Sequence, residues 1–235
     1  MEELIGLLAW GKEGWGDEIA TGAWLTLRLA LATLPFGLFL GFLLALARSS
    51  KEPELAAAAN VFVTVFRGLP ELLTILIIYI GLDLLINEVV KLVSTERWEL
   101  SKFVSGMIAL GIVNASFSSE VIMGALKAIP QGQVEAARSM GLSRFYTWLF
   151  VVLPQLIRHA LPGLGNLWLV LLKETALISV IALDDLIRQT NIVVGATKEP
   201  FFFYSVACLI YLMFALASSV VLGGAERWAN RGQER

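Results

Sequence analysis

Polar side chains interrupt the apolar segments of this chain, and Glu120 is the one whose chemistry stands out. It follows Asn114 and Ser116 within one segment. A carboxylate inside a membrane helix costs about 2 to 3 kcal/mol on insertion scales, so it should have a partner or a function. Ser116 shares the helix face of Glu120, and Asn114 is offset from it. The three side chains are suited to hold a small ligand that carries an ammonium or carboxylate group. The alternatives are hydrogen bonds between helices, or an ion pair between Glu120 and an arginine of a neighbouring segment.

Three further charged residues lie in or beside apolar segments. Glu71 directly follows a Gly-Leu-Pro break, where it either opposes a cationic solute or pairs with Arg67. Lys173 and Glu174 stand side by side near the end of another segment. They form either a gate or docking contact, or a pair at the membrane interface whose long stems lie along apolar surface.

The residues typical of an enzyme do not accompany these positions. The single histidine, His159, lies beside Arg158, where a role at the lipid headgroups or as a cap is favoured over catalysis. The single cysteine, Cys208, lies in an apolar run, which leaves no internal disulfide and no thiolate cluster for a metal. The sequence contains no phosphate-binding loop of the form Gly, four residues, Gly-Lys-Ser/Thr. Any energy from ATP must therefore come from a partner, and we expect no cofactor in this chain.

The composition indicates an integral membrane protein. Of 235 residues, 57% are hydrophobic and 16% are charged, whereas soluble domains carry about 25% charged residues. A net charge of -2 argues against a nucleic-acid partner, because no basic surface dominates the count. Membrane lipid is the expected surrounding.

Five apolar segments are long enough to cross a bilayer, which takes about 20 residues. They cover about residues 20–47, 58–86, 103–125, 155–177 and 201–224, within a membrane domain over 19–228. The second contains a polar break at 67–71, which should face neighbouring protein rather than lipid. Residues 1–18 are too short and broken to span. They predict an interfacial helix rather than a signal peptide, and residues 229–235 predict a cytoplasmic tail.

Lysine and arginine near the segment ends predict the orientation. Short cytoplasmic loops are enriched in these residues. In a five-span topology one side collects the basic residues Arg48, Lys51, Lys127, Arg138, Arg144, Arg158, Arg227, Arg231 and Arg235. The N-terminus is therefore expected outside and the C-terminus in the cytoplasm, together with the loop over about 127–150.

That cytoplasmic loop has a distinctive pattern of small residues. Pro130 suits the first turn of a short helix, and Gly141 can adopt the left-handed conformation that ends one. Ala136 and Ala137 keep one helix face thin. A second helix then leads back towards the membrane. The pattern predicts a compact protrusion made of small side chains.

The spacing in this loop resembles the signature loop of ATP-binding-cassette importer permeases. The pattern is Glu-Ala-Ala, three residues, Gly, nine residues, an aliphatic residue, one residue and Leu-Pro, with valine here in place of the usual isoleucine. The matching residues are Glu135, Ala136, Ala137, Gly141, Val151, Leu153 and Pro154. The resemblance implies that this loop, including Arg138, couples to a separate ATPase, with Glu135 accepting hydrogen bonds or pairing with a basic group. The alternative is an ordinary helix-turn-helix between spans.

Further stretches, at residues 66–70, 161–166 and 171–175, resemble the polar amino-acid uptake branch of these importers. Within that branch the chain is most similar to permeases for histidine, lysine, arginine and opines. Two positions depart from the pattern. Met123 precedes Gly124 where the branch often has arginine, so a contact from that arginine is not carried over. Glu174 stands where aspartate is frequent.

The resemblance implies an all-α membrane protein of the type I importer permease fold. Five transmembrane helices would carry a coupling loop between helices 3 and 4. The implied partners are two ATPase subunits that bind ATP and Mg²⁺, a second permease that is similar or identical, and an external substrate-binding protein, for which Lys173 and Glu174 would be the docking contact. The implied location is the bacterial inner membrane, and the implied mechanism is alternating access. A passive channel and a non-transporting scaffold are the rival functions.

Overall fold

Helices account for the architecture in the computed structural model, which describes residue 4 and residues 6–11, 14–92 and 98–230. No strand occurs within those residues. In chain order the helices are α1 (Gly16–Arg48), α2 (Pro53–Gly68), α3 (Glu71–Val90), α4 (Lys102–Ala128), α5 (Gln131–Ser139), α6 (Arg144–Thr147), α7 (Leu153–Glu174), α8 (Leu186–Thr197) and α9 (Pro200–Asn230). A π-helical turn, Trp148–Val152, joins α6 to α7, and a 3₁₀ turn, Thr175–Ile181, extends α7.

Five helical segments are long and apolar enough to cross a membrane, which confirms the prediction of an all-helical chain with five apolar helices. They are Gly16–Arg48, Glu71–Val90, Lys102–Ala128, Arg144–Ile181 and Pro200–Asn230. The fourth starts before the predicted residue 155, because the π-helical turn carries the helix through without a break.

The second segment differs from the single span expected over 58–86. The chain forms two helices there, and only α3 qualifies as a span. Leu69 is extended, with φ -88° and ψ 147°, and Pro70 precedes the first turn of α3. Proline disfavours the helical conformation in the residue before it, which explains the break. Glu71 thus becomes the first residue of a membrane-crossing helix.

The centre of the fold is α4, which packs against α1, α2, α3 and α7. Two glycines of α1 allow the closest approach. A Cβ atom at Gly37 would lie 2.5 Å from Oδ1 of Asn114, and one at Gly41 would lie 2.7 Å from Cβ of Ser118. Small residues one turn apart are a common means of bringing membrane helices together. This contact fixes the polar residues of α4 against α1.

Helix α8 lies between the fourth and fifth spans. Asp185 caps it by accepting hydrogen bonds from the backbone N–H groups of Arg188, at 3.1 Å, and Ile187, at 3.4 Å. Burial raises the pKa of Asp185 to about 6. The backbone N–H of Leu186 donates to Oγ1 of Thr26 at 3.0 Å, which attaches α8 to α1. The segment between the fourth and fifth spans therefore packs against α1.

The terminal predictions fall largely outside the described residues. Residues 1–3, 5, 12–13 and 231–235 are among those not described. The first long helix begins at Gly16, within the range expected for the interfacial helix. The interfacial helix over 1–18 and the tail over 229–235 stay predictions.

Candidate functional site

Glu120 lies at the junction of α1, α2 and α4. Its Oε2 atom is 3.0 Å from Nη1 of Arg48 and 3.0 Å from Nη1 of Arg67. Arg48 also donates from Nε to Oδ1 of Asn60 at 2.8 Å, and from Nη1 to Oγ of Ser119 at 3.2 Å. The structure therefore contains the arginine pairing that the sequence left open for Glu120. One carboxylate holds two guanidinium groups and three helices together.

Asn114 and Ser116 lie elsewhere, in the contact between α4 and α1. Asn114 is 3% exposed, and its Oδ1 accepts a hydrogen bond from Oγ of Ser118 at 3.2 Å. Ser116 is fully buried and donates to the carbonyl of Val113 at 2.7 Å. The side chain of Glu120, by contrast, is 46% exposed. The three predicted path residues thus share a helix but not a common cavity in this conformation, and their role in the path stays a prediction.

Glu71 and Glu174 are neighbours, although they come from different membrane segments. Glu174 is 6% exposed, and the carboxyl group of Glu71 lies beside it. Its Oε1 atom is buried and no N–H or O–H donor of the described residues reaches it, so the neighbouring carboxyl group of Glu71 can bond to Glu174 only if one of the two groups is protonated. Lys173 is exposed whereas Glu174 is buried, and the role of these two residues as a gate or docking contact stays a prediction. Arg67 pairs with Glu120 and leaves Glu71 to face Glu174.

When both groups are ionised, this pair of carboxylates is an unsatisfied acceptor site. A buried polar atom without a hydrogen-bond partner costs about 1 to 3 kcal/mol, and more if it is charged. Two adjacent carboxylates also repel each other. A cation bound between Glu71 and Glu174 relieves both penalties. A guanidinium group fits such a site well, because its planar set of N–H donors matches carboxylate oxygens.

The turn after α5 has the geometry of a Schellman motif, which depends on Gly141. The backbone N–H of Leu142 donates to the carbonyl of Ala137 at 3.2 Å, and that of Gly141 donates to the carbonyl of Arg138 at 2.9 Å. Gly141 has φ +83°, as its predicted left-handed conformation requires. These bonds satisfy the carbonyls at the end of the helix. The turn is therefore defined by hydrogen bonds and by a residue without a Cβ atom.

The signature residues divide into an exposed group and an anchoring group. Glu135 and Ala136 are exposed on α5, whereas Ala137 is 2% exposed. Leu153 begins α7 and packs on an apolar cluster that includes Ala45, Ile122 and Leu156. The exposed group is free to contact another protein, while the anchoring group ties the segment to the membrane helices.

A side-chain hydrogen bond joins α5 directly to α7. Nε2 of Gln155 donates to Oε1 of Gln133 at 2.7 Å, and also to the carbonyl of Val151 at 2.7 Å. Pro154 lies beside this bond in the first turn of α7. The side chains of Gln133 and Gln155 thus connect α5 directly to the start of α7.

Sequence reasoning missed two functional features of this site. It did not identify Arg48 and Arg67 together as partners of Glu120, and it treated Glu71 and Glu174 separately. In the sequence, each of these residues is marked only by a charge within or beside an apolar run. Such a signal marks a residue without revealing which distant residue it meets.

Comparison with known proteins gives a consistent family match. Residues 37–228 match the family described as binding-protein-dependent transport system inner membrane component. The chain is 40% identical to the nopaline transport system permease protein of Agrobacterium fabrum, covering 96% of this chain and 97% of the relative. It is 40% identical to the arginine ABC transporter permease protein of Escherichia coli, covering 92% and 97%. It is 35% identical to the histidine/lysine/arginine/ornithine permease protein of Salmonella typhimurium, covering 94% and 97%.

Solved structures give the same fold. An amino acid ABC transporter crystallised with histidines matches with a TM-score of 0.78 at 32% identity, covering 91% of this chain and 94% of that one. A chain of an inward-facing methionine ABC transporter matches with a TM-score of 0.72 at 16% identity, covering 90% and 95%. The second likeness concerns the fold alone.

Proposed function

Because this chain belongs to the family of binding-protein-dependent transport system inner membrane components, we propose that it moves basic amino acids or opines by alternating access. It is a permease subunit of an ATP-driven amino-acid or opine importer in the bacterial inner membrane, and it is not itself an enzyme. The observation that carries the proposed mechanism is the pair formed by Glu71 and Glu174.

The substrate class follows from the chemistry of that pair. The relatives are named for nopaline, for arginine, and for histidine, lysine, arginine and ornithine. Arginine, lysine and ornithine carry a cationic side chain at neutral pH, and histidine gains one readily. Two carboxylates, one of them with a buried oxygen that lacks a donor, are suited to bind such a group. We therefore assign Glu71 and Glu174 to the recognition of the substrate cation.

The proposed coupling path runs along α7. This helix has 22 residues, which corresponds to about 33 Å at 1.5 Å per residue. Its first turn is bonded to α5 through Gln155, and Glu174 is its last residue. A displacement of α5 would therefore move Glu174 relative to Glu71 on α3. Separation of the two carboxylates would lower their affinity for the substrate cation, which would then dissociate.

The proposed assembly supplies the force for that displacement. Two ATPase subunits bind ATP and Mg²⁺ and close on each other. Each of them contacts the exposed face of α5 in one permease subunit. A second permease, identical or similar, completes the pathway, and an external binding protein delivers the substrate. In this arrangement the N-terminus is outside and the C-terminus is cytoplasmic, because the basic residues at the segment ends favour the cytoplasm.

Uptake by the reconstituted importer tests the function. Proteoliposomes containing this permease and its ATPase, with binding protein outside, are expected to accumulate radiolabelled arginine, lysine, histidine or opine only when ATP is enclosed. A passive channel would equilibrate the solute without ATP, and a scaffold would give no flux. A preference for acidic amino acids would contradict the assignment of the two glutamates.

Cysteine labelling tests the orientation. We expect Arg138→Cys, placed in a Cys208→Ser background, to react with a membrane-impermeant maleimide only after the cells are permeabilised. Glu99→Cys serves as the matched control, since it is exposed near the other end of α4 and should react in intact cells. Labelling of Arg138→Cys in intact cells would reverse the orientation and remove α5 from the reach of an ATPase.

A further inference from the structure

The cluster around Glu120 contains more positive than negative charge. Oε2 of Glu120 lies 3.0 Å from Nη1 of Arg48 and 3.0 Å from Nη1 of Arg67. Arginine keeps its proton in proteins, so two cations share a single carboxylate. One of the two guanidinium groups is therefore in excess of the charge that Glu120 can neutralise.

The two arginines of this cluster are held to different extents. The Arg48 side chain is 13% exposed and also donates a hydrogen bond to Oδ1 of Asn60 at 2.8 Å. The Arg67 side chain is 40% exposed. Besides Glu120 its guanidinium faces the ring of Phe117 at 5.7 Å, and it makes no hydrogen bond to any other residue that the structure describes. Arg67 can therefore leave Glu120 while Arg48 keeps that carboxylate paired.

The break between α2 and α3 places Arg67 close to Glu71 along the chain. Arg67 is the second-last residue of α2, and Glu71 is the first residue of α3. Leu69 between them is extended, and a Cβ atom added to Gly68 would meet no atom within 4 Å. Four residues of extended chain span at most about 14 Å, and the long side chains of arginine and glutamate reach across part of that distance. A rotation within this open connection is sufficient to bring the guanidinium of Arg67 to Glu71.

Transfer of Arg67 to Glu71 would distribute the charges more evenly. The Glu120 cluster has one positive charge in excess, whereas the pair of Glu71 and Glu174 carries two negative charges when both are ionised. After the transfer the cluster would be neutral, and the pair would keep one negative charge. Partly buried charges are stabilised by an opposite charge nearby. A cationic substrate gives the same stabilisation, so the substrate and Arg67 are alternative partners of the same carboxylates.

We propose that Arg67 is an internal counter-ion that pairs with Glu120 while the substrate occupies the pair of Glu71 and Glu174, and with Glu71 after the substrate has left. This exchange rests on the proposed function, because it takes the two glutamates as the groups that bind the substrate cation. A guanidinium group binds a carboxylate through charge-assisted hydrogen bonds, so Arg67 offers Glu71 the same interaction as a substrate arginine. Glu120 acts without touching the substrate, because it holds Arg67 away from the site.

Equilibrium binding of radiolabelled arginine to the purified complex of permease and ATPase, without nucleotide or binding protein, tests this exchange. Glu120→Gln removes the anion that holds Arg67, so Arg67 should occupy Glu71 in most molecules. A site that is free in about one tenth of the molecules binds its ligand about tenfold more weakly, and we expect a loss of that size. Arg67→Gln should bind arginine at least as tightly as the original protein. The double variant Glu120→Gln/Arg67→Gln should recover the original affinity, because the competing cation is gone.

Two further double variants separate competition from general damage to the cluster. Glu120→Gln/Arg67→Lys keeps a cation at position 67, so its arginine binding should stay weak. Glu120→Gln/Arg188→Gln removes a different arginine, whose side chain is also 40% exposed and is paired with Asp184. Its arginine binding should stay weak as well. Thermal unfolding verifies that each variant is folded.

Uptake by Arg67→Gln gives a second measurement that needs no change at Glu120. In proteoliposomes with binding protein and ATP, the maximal rate of arginine uptake should fall about tenfold, the lower end of the effect of losing a charge-assisted hydrogen bond. Binding of arginine to the complex should not weaken, because Arg67 stabilises the carboxylates only after the substrate dissociates. Arg67→Lys should restore most of the rate. An ion pair with a purely structural role would lower binding and uptake together.

The failure of the exchange differs from a failure of the proposed function. Equal weakening of arginine binding in Glu120→Gln and Arg67→Gln, without recovery in the double variant, would overturn the exchange and leave a structural ion pair. Unchanged arginine binding in Glu120→Gln would overturn it too. If the unmodified complex neither binds nor imports arginine, the proposed function fails, and the exchange fails with it. The behaviour of the unmodified protein therefore distinguishes the two failures.

Discussion

Replacement of Glu174 by glutamine is expected to lower arginine uptake about 10- to 150-fold, the range that corresponds to loss of a charge-assisted hydrogen bond of about 1.5 to 3 kcal/mol. Glutamine keeps the shape of the side chain, so packing around this 6% exposed residue is retained. What is lost is one of the two carboxylates that we propose to face the substrate cation. The measurement is the initial rate of ATP-dependent uptake of radiolabelled arginine and of citrulline, its uncharged counterpart. The ratio of the two rates should fall, because citrulline gains nothing from the second carboxylate.

Two companion variants make this result specific. Glu54→Gln removes an exposed acid from the first turn of α2 and should leave the ratio of arginine to citrulline uptake unchanged. The double variant Glu71→Gln/Glu174→Gln should lose less than the product of the two single losses, because residues that share one partner are not independent. An unchanged ratio for Glu174→Gln would contradict a role for this pair in cation recognition. Fully multiplicative losses would assign the two glutamates to separate steps.

Replacement of Gly141 by valine is expected to abolish most of the ATPase stimulation caused by loaded binding protein. The residue has φ +83°, and a side chain in this left-handed conformation costs about 1 to 2 kcal/mol, with a β-branched residue among the least tolerant. A cost of about 2 kcal/mol lowers the population of the native turn about 30-fold relative to alternatives. The Schellman hydrogen bonds from Gly141 and Leu142 would then be lost. The measurement is phosphate release by the purified complex with and without loaded binding protein.

A matched variant separates the effect of backbone conformation on ATPase stimulation from the effect of steric crowding. A Cβ atom at Gly141 meets no atom within 4 Å, and the same holds for Gly132 in α5. Gly132→Val therefore places the same side chain in open space without a left-handed conformation, and it should keep most of the stimulation. Gly141→Asn should be intermediate, since asparagine tolerates the left-handed region better. Full stimulation of Gly141→Val would refute coupling through this turn.

Apolar segments and tight turns could be predicted from the sequence, because each depends on residues that lie close together along the chain. The apolar segments follow from hydrophobic length, and the turn at Gly141 follows from the conformational freedom of glycine. The break after Gly68 was identified from Leu69 and Pro70. Its effect was underestimated, since the structure ends one helix there and starts the spanning helix at Glu71.

Long-range partners could not be predicted in the same way. Glu174 and Glu71 each carried a charge in an apolar context, but their proximity depends on how α3 packs against the 3₁₀ turn that follows Glu174. Glu120 likewise had several candidate arginines, and the choice of Arg48 and Arg67 depends on the position of α2 beside α4. A single sequence specifies the periodicity of each helix but not the rotation of one helix relative to another.

The contact between α1 and α4 limits how this protein can diverge. At Gly37 a side chain would displace the amide of Asn114, and at Gly41 it would meet Ser118 and the backbone of Ala115. A side chain at position 37 therefore requires Asn114 to move or to change, which links the two positions. Substitutions at positions 37 and 114 should therefore occur together among related sequences. Glycines in open space, such as Gly81, should be replaced independently of other positions.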